Sequence, residues 1–243
     1  MRIAIVTSVF PPYLGGIGNV AYNHAKYLVN RKYNVTIFTP QYGQRKIKTD
    51  EKFNIQPIPP KFFFGNAAYI PQIRHMLKGY NIIYLHYPFF GGAEGVYSYA
   101  KSHPESDLIT FYHMDVFGKN IKKLFFKAYS LFFLNKILKI SKKIVVTSKD
   151  YIMHSNIKYY FRKNTNKFIE IPNGVDTTFF SPGTKDQRLI KQYNAEGKNV
   201  ILFVGGLDRA HYFKGIEYLL DAFKNIASSC LLFIVGNGDL MQY

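Results

Sequence analysis

Cysteine is almost missing from this chain: Cys230 is the single one among 243 residues. One thiol cannot build an internal disulfide framework, and such usage suits a reducing cytosol. Long apolar runs are missing as well. No stretch of about 18 or more apolar residues occurs, so nothing reads as a membrane-spanning helix. The opening Met1-Arg2-Ile3-Ala4-Ile5-Val6 is too short for the apolar part of a secretion signal and leads to no small-residue cleavage site; it reads as a first strand. Acids are scarce, with 15 Asp+Glu against 32 Lys+Arg and a net charge of +17. No Asp-x-Asp occurs, and no His, Cys and Asp cluster has ligand spacing, so no metal site is expected.

What is present suits a globular chain. Hydrophobic residues make up 47%, enough for a real core in one large domain, or one domain and part of a second. The cationic excess is concentrated. Between Lys119 and Lys143 stand eight lysines and no acid, interleaved with Phe125, Phe126, Phe132 and Phe133. Such a segment is either a core-packing helix with a lysine-rich solvent face or a dock for an anionic membrane surface. Nucleic acid is not expected, because no recognised binding module accompanies the charge.

Alternating apolar runs and helical periodicity organise the chain. Strands are predicted at Arg2 to Ser8, Asn34 to Thr39, Asn81 to His86, Leu108 to Tyr112, Lys143 to Ser148 and Lys167 to Ile171. The first helix is predicted over Asn19 to Arg31, with His24 in its buried stripe beside Ala21, Ala25 and Leu28. Residues 41–60 read as a loop with an edge strand, and Tyr69 to Lys78 as a helix. A long helix is predicted from Lys119 to Lys139, its lysine face coherent only to Leu134, where the pattern rotates. These alternating elements imply an α/β fold with a doubly wound parallel sheet. Three ranges follow: a Rossmann-like domain over residues 1–171, a connector over 172–190, and a βαβ unit over 191–243. That unit is predicted as strand Asn199 to Val204, helix Gly215 to Ala227 and strand Leu231 to Val235.

Two glycine-rich stretches carry the chemistry. Gly15-Gly16-Ile17-Gly18 follows the first strand, and Gly205 to Gly215 (GGLDRAHYFKG) follows the strand at Asn199. Each opens a helix, so backbone N–H groups and a positive helix end point at an anion, most often a phosphate. Two such loops suggest a cleft between two Rossmann-like halves, with loop geometry alone as the plainer reason for the glycines. By letters, Gly16 to Ala21 fits the dinucleotide pattern G-x-G-x-x-A. A loop with Pro11, Pro12 and Tyr13 intervenes, however, and the second strand ends in Thr39-Pro40-Gln41 without the ribose-binding acid. Nicotinamide binding is not expected.

Taken in order, Phe10-Pro11-Pro12, Gly15-Gly16-Ile17-Gly18, the strand-end His113, Ile171-Pro172-Asn173-Gly174-Val175-Asp176 with Phe179 and Pro182, Val204-Gly205-Gly206 and Lys214-Gly215 resemble the family 4 glycosyltransferases of the GT-B fold. The resemblance implies two Rossmann-like domains, the second truncated here. It implies an enzyme that moves a sugar from a UDP- or GDP-sugar to a glycan or lipid-linked acceptor, with retention and without a metal or a cofactor besides that co-substrate. His113 is then the catalytic candidate beside the transferring sugar, with a strand-end structural role as its alternative. Gly15, Gly16, Gly18, Arg209 and Lys214 are the candidates for donor phosphate, with His211 as a further contact. Arg209 stands in for the arginine that the family usually carries where this chain has Gly206. Tyr13, Asn19, Glu94 and Asp115 are the acceptor-side candidates; Glu94 also reads as a solvated helix-start acid, and Asp115 as a cap.

Retention implies front-face attack assisted by the leaving phosphate. The acceptors implied are cell-envelope or lipid-linked sugars at the cytoplasmic face of a membrane, where residues 119–143 would attach peripherally. Because the family continues well past the first βαβ unit of its second domain, three readings stay open. The chain is the leading part of a full enzyme, a subunit completed by a partner chain, or a non-catalytic membrane-docking module.

Overall fold

The computed structural model describes residues 1–13, 15–42, 52–64, 67–116 and 121–242, without the side chains of Phe64, 121–123, 125, 210, 211 and 213. Lys119 and the side chains of Phe125, His211 and two further lysines of the basic segment, Lys122 and Lys123, lie outside that description. By internal contacts the chain divides into two units, Met1–Gly174 and Val175–Tyr243.

In the first unit, β1 (Arg2–Val6), α1 (Gly16–Asn30), β2 (Asn34–Pro40) and β3 (Asn54–Ile58) come first. A hairpin of β4 (Phe62–Phe64) and β5 (Ala67–Tyr69) precedes the short α2 (Ile73–Met76). The unit continues through β6 (Ile82–Tyr87), α3 (Ala93–Ser102), β7 (Asp107–Tyr112), α4 (Ile121–Tyr129) and α5 (Asn135–Ile140) to β8 (Lys143–Val146). It closes with α6 (Lys149–His154), α7 (Lys158–Lys163) and β9 (Phe168–Glu170). Seven of these strands form one parallel sheet in the order β3-β2-β1-β6-β7-β8-β9.

Side chains alternate across a strand, so an almost wholly apolar strand must be covered on both faces. In β1 that alternation is plain. Ile3 and Ile5 join Ala21 and Ala25 of α1 in one cluster, while Ala4 and Val6 join Ile73, Leu77, Ala93 and Val96 in another. Helices therefore flank the sheet on both sides, as the strand pattern implied.

Where expectation and structure part, local chemistry explains it. The first helix begins at Gly16 rather than Asn19, because Gly15 takes the extended cap conformation (φ −177°) and the glycines form the first turn. The helix expected over Tyr69 to Lys78 shrinks to four residues: Pro71 holds Ile70 extended, and the Ile70 N–H donates to the Gly91 carbonyl at 2.9 Å. Residues Ser130–Leu134 form a π-helical turn between α4 and α5. Such a turn inserts a residue and rotates the helix face, which accounts for the lysine pattern shifting at Leu134.

The second unit holds α8 (Gln187–Gln192), β10 (Asn199–Val204), α9 (Ile216–Phe223) and β11 (Cys230–Val235). β10 and β11 pair in parallel, Asn199 opposite Cys230 through Val204 opposite Val235. α8 begins inside the segment read as a connector and runs past its end at residue 190; it is capped by the Asp186 carboxylate, which accepts from the Arg188 N–H at 2.8 Å. Two strands and two helices bury little. Val200, Leu202 and Val204 of β10 and Val235 of β11 are all exposed.

Candidate active site

β1, β6 and β7 lie side by side, and the C-terminal ends of such strands are where doubly wound sheets hold ligands. After β1 the Thr7 hydroxyl donates to the Val9 carbonyl at 2.9 Å, and the Tyr13 N–H donates to the Phe10 carbonyl at 3.0 Å. Gly18 packs α1 onto this loop. A Cβ there would stand 2.9 Å from the Val9 carbonyl oxygen and 3.2 Å from Phe10 Cα. Its missing side chain is thus accounted for by close approach of two backbones. Gly16 differs: it is exposed, and a Cβ would meet nothing within 4 Å. Gly15 caps α1 without a side-chain bond, and the first turn carries no acid, so this helix start suits an anion.

Tyr13 stacks on Tyr42 with centroids 5.1 Å apart, and Tyr42 on Phe63 at 5.2 Å. The Tyr42 hydroxyl donates to the Ser8 carbonyl at 2.7 Å; burial, with Tyr13 beside it, pushes this phenol up to about 12. Asn19 is exposed on α1, its N–H donating to the Gly15 carbonyl at 3.1 Å.

His113 follows β7, and its N–H donates to the Tyr87 carbonyl at 3.0 Å. Its ring stacks on His86 of β6 (5.1 Å, 16°), which in turn stacks on Phe111 (4.9 Å, 8°). His86 Nδ1 and His113 Nε2 share one hydrogen bond of 2.9 Å. The His24 ring of α1 lies 5.3 Å from His86. Burial lowers the basicity of all three. His24 and His113 fall to about 4, and His86, fully buried and beside both other imidazoles, falls well below 6.5. At neutral pH the cluster is uncharged, and among the described residues no group of three such side chains is placed to hold a metal ion.

Asp115 and Glu94 are engaged inside the protein. Buried Asp115 accepts from the Tyr112 hydroxyl and from the Asn156 N–H at 3.0 Å, and its own N–H donates to the Tyr151 hydroxyl at 2.8 Å. It ties the end of β7 to the α6–α7 segment. Glu94, at the start of α3, accepts from the Gly91 N–H at 2.9 Å and from the Tyr129 hydroxyl at 2.8 Å. That second bond fastens α3 to α4, and burial together with the carboxylate raises the Tyr129 phenol far above its ordinary value.

In the second unit, the loop after β10 packs against the one after β11. A Cβ on Gly236 would fall 1.9 Å from the Gly205 carbonyl oxygen, and one on Gly238 2.1 Å from that of Leu207. Only glycine allows these contacts. The Arg209 N–H donates to an Asp239 carboxylate oxygen at 3.1 Å, and its guanidinium Nε lies 3.6 Å from the other. Lys214 is exposed just before Gly215, which caps α9 with φ 70°, a left-handed conformation that favours glycine.

The sequence profile of Glycosyltransferase Family 4 matches residues 14–179, more than half of the chain. The chain belongs to glycosyltransferase family 4. No curated protein matches this family 4 chain in sequence. Among solved structures it is similar to the catalytic domain of starch synthase IV from Arabidopsis thaliana, determined with ADP and acarbose (TM-score 0.70, 14% identity, 98% of this chain and 68% of that one). It is also similar to WaaG, a glycosyltransferase involved in lipopolysaccharide biosynthesis (0.56, 16%, 99% and 65%). A third is an alpha-glucosyltransferase determined with UDP and a 13-mer DNA containing an HMU base (0.54, 11%, 92% and 53%). At these identities the likeness establishes the GT-B fold. The chain thus spans between 53% and 68% of the length of those proteins.

In the sequence His113 stands out as functional, but neither His24 nor His86 does. Both looked like core residues, and only the β6–β7 pairing, His86 opposite Phe111, brings His86 to His113.

Proposed function

We propose that this protein transfers a sugar from a nucleoside-diphosphate sugar to a glycan or lipid-linked acceptor, with retention of configuration. The family match over residues 14–179 carries the reading. Solved structures of similar fold holding UDP or ADP support a nucleotide donor.

In the second unit, Lys214, Arg209 and the start of α9 take the charge of the leaving diphosphate in place of a metal ion, and no further cofactor takes part. This is the main electrostatic demand of the reaction. In the first unit, Gly15 and Gly16 offer N–H groups to the donor's distal phosphate, and His113 hydrogen-bonds a hydroxyl of the transferring sugar. A neutral imidazole suits that place, since a cation would oppose the positive charge that grows on the sugar ring. Tyr13 and Asn19 face the acceptor. Asp115 and Glu94 act indirectly, by fixing the strand end and α3.

The exposed face of the α4–α5 helix, with Leu124, Leu131 and Phe132 among Lys127, Lys136 and Lys139, supports peripheral contact with an anionic cytoplasmic membrane surface. The exposed apolar residues of β10 and β11 favour a second reading, in which a partner chain completes the donor side.

Calorimetric titration of the full chain with UDP, GDP and ADP tests the proposal. One of them is expected to bind, and Lys214→Ala to weaken it about tenfold, the range for losing one charge-assisted hydrogen bond. Absence of binding by all three, or an unchanged affinity in Lys214→Ala, would contradict it.

A further inference from the structure

We propose that His86 is a positioning residue that fixes the tautomer of His113, so that His113 presents an N–H donor, at Nδ1, to the sugar. The inference rests on the reading that His113 touches the transferring sugar.

His86 has no exposed surface. Its Nδ1 faces His113 Nε2 at 2.9 Å, and with both rings neutral one proton serves that bond. There are two ways to place it. With the proton on His86 Nδ1, His86 donates and its Nε2 keeps only a lone pair. With the proton on His86 Nε2, a buried N–H is left without an acceptor, because Nε2 has no hydrogen-bond partner among the described residues. A buried donor without an acceptor loses a strong hydration bond outright and is rare in folded proteins. The surroundings of His86 supply no remedy. The Phe111 ring lies parallel to His86 and the His24 ring is tilted against it, with His24 Nδ1 itself unpartnered among the described residues. His86 therefore carries its proton on Nδ1.

The consequence passes to His113. Its Nε2 accepts, so its proton resides on Nδ1, and no hydrogen bond among the described residues engages that atom. The bond made by one imidazole nitrogen sets what the other can offer. A donor at Nδ1 matches an acceptor lone pair on a sugar hydroxyl. It has no lone pair with which to remove a proton, so His113 is assigned to holding the sugar rather than to acting as a base. The bond to His86 and the backbone bond to the Tyr87 carbonyl also leave His113 little freedom to turn. Residues from three elements, α1, β6 and β7, build this arrangement.

Two variants separate the hydrogen bond from the packing. His86→Phe keeps an aromatic ring between Phe111 and His113 but has no donor. His86→Asn loses the ring and keeps an N–H near the Nδ1 position. The ¹⁵N spectrum of the imidazoles in the full wild-type chain is expected to show His113 protonated at Nδ1; protonation at Nε2 would overturn the proposal whatever the activity. In turnover of a nucleotide-sugar, His86→Phe is expected to lower kcat roughly 10- to 100-fold with KM little changed, the scale reported for lost partners that orient a functional histidine. His86→Asn is expected to stay within about threefold of wild type. Equal loss in both, or none in His86→Phe, would overturn it. Should His113→Ala turn over as fast as wild type while the spectrum shows the Nδ1 proton, the sugar-contact reading fails and the tautomer assignment stands.

Discussion

A histidine buried among aromatic rings gives up most of its affinity for a proton, and three such residues meet here, His24 from α1, His86 from β6 and His113 after β7. The consequence for stability has a definite sign. His24 and His113 fall from an ordinary value of 6.5 to about 4. Between those two values the unfolded chain binds protons that the folded chain refuses, so stability is full above about 6.5 and declines as pH falls toward about 4. For one such group the loss is on the order of 3 kcal/mol. Urea unfolding at stepwise pH is expected to show that decline, reduced in His24→Phe; a flat profile over this interval would contradict the buried neutral cluster. At this scale the sequence was partly legible. His113 stood out because it follows an apolar strand directly. His24 sat on the buried stripe of a helix, where a histidine looks like packing. Tyr42 lay within a polar stretch without periodicity, and only its stacking on Tyr13 shows its place.

Elements were easier to read than their ends. The parallel strands were visible as short apolar runs, and the doubly wound parallel sheet follows from the βαβ alternation, whereas the strand order came only with the structure. Boundaries moved where turn chemistry intervened, as at Gly15 and Pro71. The hairpin β4–β5 and the helices α6 and α7 went unread because they are short and lack a clean period. Within α1 the two glycines divide the labour, which their letters could not reveal. Gly18→Ala must push the helix from the loop at Val9, a strain of about 1–3 kcal/mol. Gly16→Ala meets open space and is expected to leave stability within about 0.5 kcal/mol. Chemical denaturation of the two variants checks this; equal effects would show that Gly18 is not a packing contact.

For the molecule as a whole, the two units differ in how far they have buried their apolar residues. The first has a sheet covered on both faces; the second leaves much of β10 and β11 in solvent. That contrast was foreseeable from the sequence, which offers only one βαβ repeat after Gly174. The donor's base, the sugar and the acceptor were not legible, because shape recognition of this kind depends on residues without a spacing rule. The net charge of +17 favours anionic ligands and surfaces in general and selects none.

Departure of a sugar from its diphosphate with its configuration kept, and with His113 at the sugar, is what the proposed function requires. It is tested most directly by following UDP-, GDP- and ADP-sugars by NMR in the presence of the full chain. Expected is slow release of the sugar from one of them, first as the anomer present in the donor, and a loss of about 100-fold in His113→Ala. A first-formed sugar of opposite configuration, an undiminished rate in His113→Ala, or a donor that binds and is never cleaved would contradict it.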